Sequence, residues 1–357
     1  MTKYIFVCVS YLEAYIKNLF IQVIFLGVGV LRVNVVVIGL GSMGMRRIRL
    51  IQKFDPSINV FGVDINEHRR AKCEIERGIH TYNSVEEVLK HKNIDCAFIC
   101  SDPLSHHKII NQCLSNGLHV FTELNLVTDG YEENLTLATS NKLVLFLSST
   151  ILYRDEVRYM KNLVANVKCP LNYMYHVGQY LPDWHPWEDY RDFFVSDKRS
   201  NGCRELFAVE LPWLSDTFGD IVQIQALKDK MSSLELDYND NYLVMIQHIT
   251  GCKGLLAVDI VSRKAVRNLE VFGEELYLRW DGTPSGLFIY DYEKKEEINV
   301  RLYNDFEHLN DYNSTIIENA YFNEITAFFD AIIDAKSPVY SFEKDMAILK
   351  LIDRIEA

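Results

Sequence analysis

The sequence predicts an α/β protein, in which an N-terminal doubly wound parallel sheet precedes a C-terminal α+β domain with an open, mainly antiparallel sheet. Two observations support this prediction. Up to about residue 150, short apolar segments alternate with helix-like segments, which is typical of βαβ units. Beyond that point, strand-like segments follow one another without intervening helices. Several of them alternate polar and apolar residues, as antiparallel strands with one exposed face do.

The first part begins with residues 33–38, a nearly continuous β-branched run that predicts a strand buried on both faces. A helical segment follows to about residue 53. Further strands of the same sheet are predicted at 59–64, 96–100, 119–122 and 143–148.

The second part opens with helical segments at 153–164 and near 206–218, which flank a stretch rich in Tyr, Trp, His and acidic residues at 171–195. Six strands follow, at 221–227, 242–250, 254–262, 268–280, 286–292 and 298–303. A long helix, 316–335, precedes the end. We therefore predict three parts: an N-terminal extension of uncertain status over 1–32, a first domain over 33–150, and a second domain over 151–357.

Composition narrows the functional class. The 357 residues include 37 Lys and Arg against 49 Asp and Glu, a net charge of −12, with no long basic run. Such a chain is a poor polyanion binder, so nucleic acid is not an expected partner. The eight cysteines form no C-x-x-C pair. This usage fits a reducing, cytoplasmic compartment.

The N-terminal extension contains an apolar stretch at 19–31 that is interrupted by Gln22. This stretch is too short to span a bilayer comfortably, and no clean signal-peptide cleavage site follows it. Membrane association is therefore not expected. An appended helix and a translation start placed too far upstream both remain open.

The most informative motif has glycines at Gly39, Gly41 and Gly44, with Ser42 and Met43 between the last two. It directly follows the first predicted strand and opens the first predicted helix. The first glycine permits a tight turn, the second lets the backbone approach a pyrophosphate, and the third allows close packing of helix on strand. In this context the motif predicts a dinucleotide-binding site.

An acidic residue, Asp64, ends the next strand 20 positions after Gly44. A carboxylate there accepts hydrogen bonds from the adenosine ribose and repels a 2′-phosphate, so NAD(H) is favoured over NADP(H). Because Arg69 and Arg70 lie close by in the sequence, NADP(H) stays open as an alternative.

Three further segments are informative: Ser101-Asp102-Pro103-Leu104-Ser105-His106, Gly117-Leu118-His119-Val120-Phe121-Thr122-Glu123 and Asn323-Glu324-Ile325-Thr326-Ala327-Phe328-Phe329. Together with the glycine motif, they resemble the Gfo/Idh/MocA family of sugar oxidoreductases. The resemblance implies a Rossmann domain and a second domain whose open sheet often serves oligomerisation. It also implies NAD(P)-dependent redox chemistry on sugars, inositols or nucleotide sugars. The implied cofactor contacts are Ser101, Pro103, His106 and Glu123.

The chain departs from this family at its proton-handling positions. The family's Glu-Lys-Pro reads Glu123-Leu124-Asn125 here, so Leu124 replaces the lysine. On the later helix, the family's Asp, His and Asp correspond to Glu205, Val209 and Pro212. Loss of general acid–base groups typically costs about 10²–10⁴ in rate. An active enzyme would therefore use other groups, or a substrate that needs less help.

The aromatic stretch after residue 171 offers replacements. We expect His185 to move the hydroxyl proton because imidazole titrates near neutrality, with Tyr180 and Glu210 as the next candidates. The expected substrate-binding residues are Asn125, Trp184, Trp187, Asp189, Arg191, Arg204 and Glu205. An aromatic loop that only packs the domain interface is an equally valid interpretation. Because His185, Glu188 and Asp189 have no recognised metal spacing, no metal is predicted.

Together these features predict an NAD(H)-dependent oxidoreductase that transfers a hydride at a carbinol carbon of a sugar or nucleotide-linked sugar. A homo-oligomer formed through the C-terminal sheet is also expected. The alternative is a catalytically inactive nucleotide-binding sensor or scaffold of the same fold. Leu124, Val209 and Pro212 favour the alternative, while the dense polar and aromatic loop favours the enzyme.

Overall fold

A computed structural model describes residues 33–185, 188–309 and 315–357. The N-terminal extension and Trp187 lie outside these ranges, so the predictions made for them stay predictions. Within the described ranges, no helix is long and apolar enough to cross a membrane.

The first sheet is parallel throughout and has the strand order β3-β2-β1-β4-β5-β6. Its strands are β1 (Asn34–Ile38), β2 (Asn59–Val63), β3 (His80–Tyr82), β4 (Cys96–Ile99), β5 (His119–Thr122) and β6 (Leu145–Leu147). The helices between them are α1 (Ser42–Phe54), α2 (Glu67–Arg77), α3 (Val85–His91), α4 (His106–Ser115) and α5 (Tyr131–Asn141). The predicted doubly wound sheet is confirmed.

Strand β1 lies at the centre of this sheet, where the strand order reverses. Val35, Val36 and Val37 are fully buried because helices cover both faces, which explains the continuous β-branched run in the sequence. The carboxyl ends of β1 and β4 lie side by side at this reversal. In open α/β sheets, ligands bind in the crevice that forms at such a point.

The second sheet is mainly antiparallel and has the order β14-β13-β12-β11-β7-β10-β9-β8, with a single parallel pair, β7 and β10, among its described strands. Its strands are β7 (Asn172–Gly178), β8 (Ile221–Asp229), β9 (Asn241–His248), β10 (Lys253–Asp259), β11 (Val266–Phe272), β12 (Tyr277–Trp280), β13 (Leu287–Asp291) and β14 (Glu296–Asn299). The accompanying helices are α6 (Asp155–Ala165), α7 (Gly202–Phe218), α8 (Glu318–Ile333) and α9 (Phe342–Glu356). The predicted second architecture is confirmed.

Some details differ from the sequence prediction. The single strand expected at 268–280 is a hairpin of β11 and β12, because Gly273 and its acidic neighbours turn the chain. The short strand β3 and the C-terminal helix α9 were not predicted. The boundary placed at residues 150 and 151 stays a prediction, although β6 ends at Leu147 and β7 begins at Asn172.

A buried arginine connects the two parts of the chain. Arg47, on the inner face of α1, bonds Glu123 at 2.5 Å and Glu324 of α8 at 2.7 Å, and its guanidinium carbon lies 4.5 Å from the Phe121 ring centroid. Burial by itself would lower the pKa of Arg47, but the two carboxylates outweigh that effect and hold the pKa above its ordinary value. Arg47 therefore holds α1, the end of β5 and α8 together.

We expect Arg47→Leu to lower the free energy of unfolding by about 3–5 kcal/mol, because Glu123 and Glu324 would remain buried without their cation. Urea denaturation of the two proteins measures the loss. The matched control is Arg191→Leu, which removes an exposed arginine paired with Asp189 and Glu235 and should leave the midpoint close to wild type. Equal midpoints for all three proteins would contradict this assignment.

Candidate functional site

The glycine turn after β1 is shaped by two close approaches. Gly39 has a φ of +91°, and a Cβ there would lie 2.6 Å from the carbonyl oxygen of Cys100. A Cβ on Gly44 would lie 1.9 Å from the carbonyl oxygen of Gly39. Both positions therefore require glycine, and the turn brings β1, β4 and α1 into direct contact.

Gly41 differs from these two glycines because its surroundings are open. Apart from the residues adjoining it in the chain, no atom of the described residues lies within 4 Å of the position where its Cβ would be. Gly41 is the N-cap of α1, no side chain caps the helix, and its first turn has no acidic residue. An uncapped helix N-terminus facing open space fits an anionic pyrophosphate. The predicted cofactor residues Ser42 and Met43 form the first turn of this helix.

Asp64 lies just beyond β2 and fixes the glycine turn. Its Oδ2 accepts the backbone N–H of Leu40 at 2.8 Å, and its Oδ1 accepts that of Asn66 at 2.8 Å. Each carboxylate oxygen has a second lone pair, which can accept a ribose hydroxyl. Next to it, Ile65 is 92% exposed and presents an apolar surface of the kind on which an adenine ring packs.

His106 connects the loop after β4 to the loop after β5. Its Nε2 lies 3.0 Å from the Ser101 carbonyl oxygen, and its Nδ1 lies 2.8 Å from Oδ1 of Asn125. Burial lowers the pKa of His106, and its hydrogen bonds to the Asn125 and Ser101 oxygens oppose this effect. His106 and Asn125 are both buried and bonded to each other, which suits positioning of the loops. Pro103 is also buried, in the short 3₁₀ turn that leads into α4.

Glu123 follows β5 at the place where the resemblance implies a cofactor contact. Its two carboxylate oxygens bond Arg47 at 2.5 and 3.1 Å, and its side chain is 13% exposed. A cofactor contact by Glu123 would share this carboxylate with Arg47. Leu124, at the family's lysine position, packs against the apolar core.

The predicted proton shuttle Glu210 has a structural position instead. It is fully buried, and its carboxylate accepts hydrogen bonds from Tyr175, Trp213 and Arg267, each at 2.7 Å. A carboxylate with three donors inside the core is not available to a substrate. We therefore remove Glu210 from the candidate catalytic set.

The predicted substrate ligand Arg204 is likewise occupied. Its Nε donates to the carbonyl oxygen of Leu126 at 2.5 Å, while its terminal nitrogens bind Asp353 at 2.7 Å and Glu356 of α9. Arg204 is buried, so it cannot also hold a substrate phosphate. Its contacts instead place the first turn of α7 beside the segment that follows β5.

Glu205, the next residue, has the properties of a proton donor and acceptor. Its Oε2 is buried without a hydrogen-bond partner among the described residues. Burial raises the pKa of Glu205 to about 7. Glu205 lies in the same turn of α7 as Arg204, which bonds the Leu126 carbonyl oxygen, two residues after Leu124.

Other predicted substrate residues have partners in the aromatic stretch. Asp189 and Arg191 bind each other at 2.6 Å on the surface, and Arg191 lowers the pKa of Asp189 to about 2. The Trp184 indole donates to the Gln179 carbonyl oxygen at 3.1 Å. The guanidinium carbon of Arg263 lies 3.7 Å from the Tyr180 ring centroid. All three contacts lie within the second part of the chain.

His185 lies toward the Asp64 end of the crevice. Its Nδ1 is 3.9 Å from Glu188, whose other oxygen is 3.8 Å from Arg69, and Arg69 in turn is 4.0 Å from Asp64. Burial lowers the pKa of His185, so the ring is neutral at pH 7. Within the described part of the chain, no cluster of three His, Cys, Asp or Glu residues could hold a metal ion.

Sequence reasoning did not identify Arg47, Ile65 or the pairing of Arg69 with Glu188. A signal for Arg47 existed, because it lies three residues after Gly44 and four before Ile51, on the buried face of α1. No local pattern indicates the pairing of Arg69 with Glu188, since these residues are far apart in the sequence.

Comparison with known proteins gives a family and several relatives. The family described as "Oxidoreductase family, NAD-binding Rossmann fold" matches residues 33–148. Human biliverdin reductase A is 28% identical over 217 residues, which are 59% of this chain and 65% of the human protein. The match thus spans just under two thirds of that relative.

Two solved structures share the whole architecture. The UDP-N-acetylglucosamine 3-dehydrogenase of Acidithiobacillus ferrooxidans has a TM-score of 0.71 at 17% identity, covering 91% of this chain and 97% of that one. The biliverdin reductase of Synechocystis sp. PCC 6803, in complex with biliverdin and NADP+, has a TM-score of 0.69 at 15% identity, covering 90% and 98%. At these identities the likeness concerns the fold.

We expect Gly41→Ala and Gly44→Ala to separate binding from stability. Gly41→Ala should change the free energy of unfolding by about 1 kcal/mol or less but weaken dinucleotide binding, because its methyl group enters the open space at the helix terminus. Gly44→Ala should lower the free energy of unfolding by about 1–3 kcal/mol or more, because its methyl group would overlap the Gly39 carbonyl. Urea denaturation and NADH fluorescence titration measure the two effects. Unchanged NADH affinity in Gly41→Ala would contradict this placement of the pyrophosphate.

Proposed function

The chain belongs, through residues 33–148, to the Gfo/Idh/MocA family of NAD(P)-dependent oxidoreductases, and we propose that it acts on a sugar or nucleotide-linked sugar. The family resemblance found in the sequence is thereby confirmed. The proposed reaction moves a hydride between a carbinol carbon of the substrate and the nicotinamide. The similarity in fold to a UDP-N-acetylglucosamine 3-dehydrogenase supports this substrate class.

The observation that carries the proposal is Oε2 of Glu205, which is buried without a hydrogen-bond partner among the described residues, in the turn of α7 that Arg204 ties to Leu126. A group with a pKa of about 7 is suited to exchange protons at neutral pH. In the oxidation direction, ionised Glu205 takes the hydroxyl proton while the carbinol carbon gives up its hydride, so that a carbonyl forms. Protonated Glu205 then releases the proton to solvent. When bound, the nicotinamide supplies or accepts the hydride.

We propose NAD(H) as the preferred cofactor. The open space at Gly41, the uncapped helix terminus and the Asp64 carboxylate support a dinucleotide with a free ribose hydroxyl pair. Ile65 would pack against adenine. Arg69 keeps NADP(H) as the alternative, and the Synechocystis relative has NADP+ bound.

A second candidate activity is the reduction of biliverdin. The 217-residue match to human biliverdin reductase A favours it. The inactive sensor or scaffold is the remaining alternative, and the loss of the family's lysine and histidine at Leu124 and Val209 favours it. These three functions make different predictions for a turnover assay.

The assay incubates the purified protein with NADH or NAD+ and a panel of UDP-N-acetylglucosamine, free hexoses, myo-inositol and biliverdin, and follows nicotinamide absorbance. Turnover with a sugar or nucleotide sugar is the expected result. Turnover with biliverdin alone would support the second candidate. Cofactor binding without hydride exchange on any substrate would support the scaffold.

We expect Glu205→Gln to lower kcat by about 10²–10⁴ and to remove an inflection near pH 7 from the pH profile. In the wild type, oxidation should rise with pH through about 7, because it needs the ionised carboxylate. Steady-state rates across the pH range, in both proteins, measure this effect. The matched control is Asp216→Asn, which removes a carboxylate of the same helix that pairs with Lys161. An unchanged profile in Glu205→Gln would contradict the assignment.

Stability measurements distinguish this loss from unfolding. Because burial raises the pKa of Glu205 above its ordinary value, the carboxyl stabilises the fold at low pH, and this contribution is lost as pH rises through about 7. Glutamine mimics the neutral acid. The variant should therefore lose less stability than the wild type between pH 5 and pH 8 in urea denaturation.

We also propose that a second copy of the chain covers the outer face of the second sheet. Met174, Leu243, Met245 and Leu255 form an exposed apolar surface there, with Met245 52% exposed. Surfaces of this kind usually mark an interaction site. A two-fold arrangement buries the same patch on both copies.

Met245→Glu should shift the protein toward a monomer, because it places a charge at the centre of the apolar face without touching the core. Size-exclusion chromatography with light scattering measures the mass. Ile75→Glu, at an exposed position on α2, is the control and should keep the wild-type mass. A monomeric wild type would contradict the proposed interface.

A further inference from the structure

Arg69, next to the proposed adenosine site, is paired with two acidic residues. It lies on α2, five residues after Asp64, with its side chain half exposed. One terminal nitrogen is 4.0 Å from Asp64 Oδ2, and the other is 3.8 Å from Glu188 Oε1. The guanidinium therefore lies between two carboxylates. The neighbouring Arg70 is turned away, because its Nη1 donates to the carbonyl oxygens of Asp64 and Ile65.

Glu188 reaches this position from the second part of the chain. It lies in the segment that follows β7, ten residues beyond Gly178, the last residue of that strand. Its Oε2 is 3.9 Å from Nδ1 of His185, so the two carboxylate oxygens face different partners. The aromatic stretch thus extends to the adenosine end of the crevice and adds a carboxylate there.

The charges at this place determine which cofactor is favoured. An arginine free of carboxylates would attract the 2′-phosphate of NADP(H), because a guanidinium fork suits phosphate. Here the guanidinium is already paired with two carboxylates, so little of its charge is left to attract a phosphate. A ribose 2′-hydroxyl carries no charge and does not depend on this attraction. The sequence alone left Arg69 as a point in favour of NADP(H), and its pairing with Glu188 reverses that argument.

We propose that Glu188 is a specificity-determining residue that acts from the second part of the chain and keeps Arg69 from accepting a 2′-phosphate. The inference rests on the proposed function, in which NAD(H) is the preferred cofactor. The preference for NAD(H) over NADP(H) therefore has two components. Asp64 acts on the ribose directly, and Glu188 acts by neutralising Arg69.

The test measures dissociation constants for NADH and NADPH by fluorescence titration of the full chain at low ionic strength. Glu188→Gln keeps the size of the side chain and removes its charge. We expect this variant to bind NADPH about five- to tenfold more tightly than the wild type, with NADH affinity changed about twofold or less. Because surface charges are screened by salt, the gain should shrink at high ionic strength.

Two variants identify the source of the gain. In the double variant Arg69→Ala/Glu188→Gln the gain should disappear, because the cation that Glu188 neutralises is gone. Glu235→Gln is the matched control, since it removes an exposed carboxylate of the second part of the chain that pairs with Arg191. This control should keep the wild-type ratio of the two affinities.

The outcomes separate the inference from the proposed function. A wild type that binds NADH, with an unchanged affinity ratio in Glu188→Gln, overturns the inference alone. A gain that survives in the double variant also overturns it. A wild type that binds neither cofactor, or that prefers NADPH, overturns the proposed cofactor and the inference together.

Discussion

The pairing of Arg47 with Glu123 and Glu324 is the interaction on which the rest of the site depends. A fully buried guanidinium is tolerable only because two carboxylates accept its hydrogen bonds. Glu324 also accepts the backbone N–H of Ser149, just beyond β6. One ionic cluster thus sets the position of the glycine helix, the segment after β5 and α8. The helix that follows the glycine turn therefore cannot shift independently of the segment after β5.

A second set of contacts holds the other wall of the crevice. Arg204 ties the first turn of α7 to Leu126, and α9 fixes Arg204 through Asp353 and Glu356. These contacts fix the turn of α7 that carries Glu205 relative to the segment after β5. Where a group acts in catalysis, fixed orientation of this kind can supply a large part of the rate enhancement.

The sequence predicts the parallel sheet and the glycine turn because both depend on local spacing. It does not predict the fates of Glu210 and Arg204, because their partners, Arg267, Asp353 and Glu356, lie between about 60 and 150 residues away. The residue types suggest that Glu210 is a catalytic acid and that Arg204 binds a phosphate. In the structure both are buried and bonded to other protein groups. The sequence predicts one strand across β11 and β12 because the run is rich in β-forming residues. Gly273 is a single interruption in that run, but the chain turns there. The conservative replacement at Glu205 was visible in the sequence, but its missing hydrogen-bond partner was not.

The proposed function requires an NAD(H) site at the glycine turn and Asp64. The most direct measurement is a fluorescence titration of NADH and NADPH against the wild type and against Asp64→Ala and Asp64→Asn. We expect the wild type to bind NADH more tightly than NADPH. Both variants should bind NADH at least about tenfold more weakly than the wild type, because they remove the charged ribose acceptor. No binding of either cofactor by the wild type, or equal NADH affinity in all three proteins, would contradict the proposed NAD(H) site.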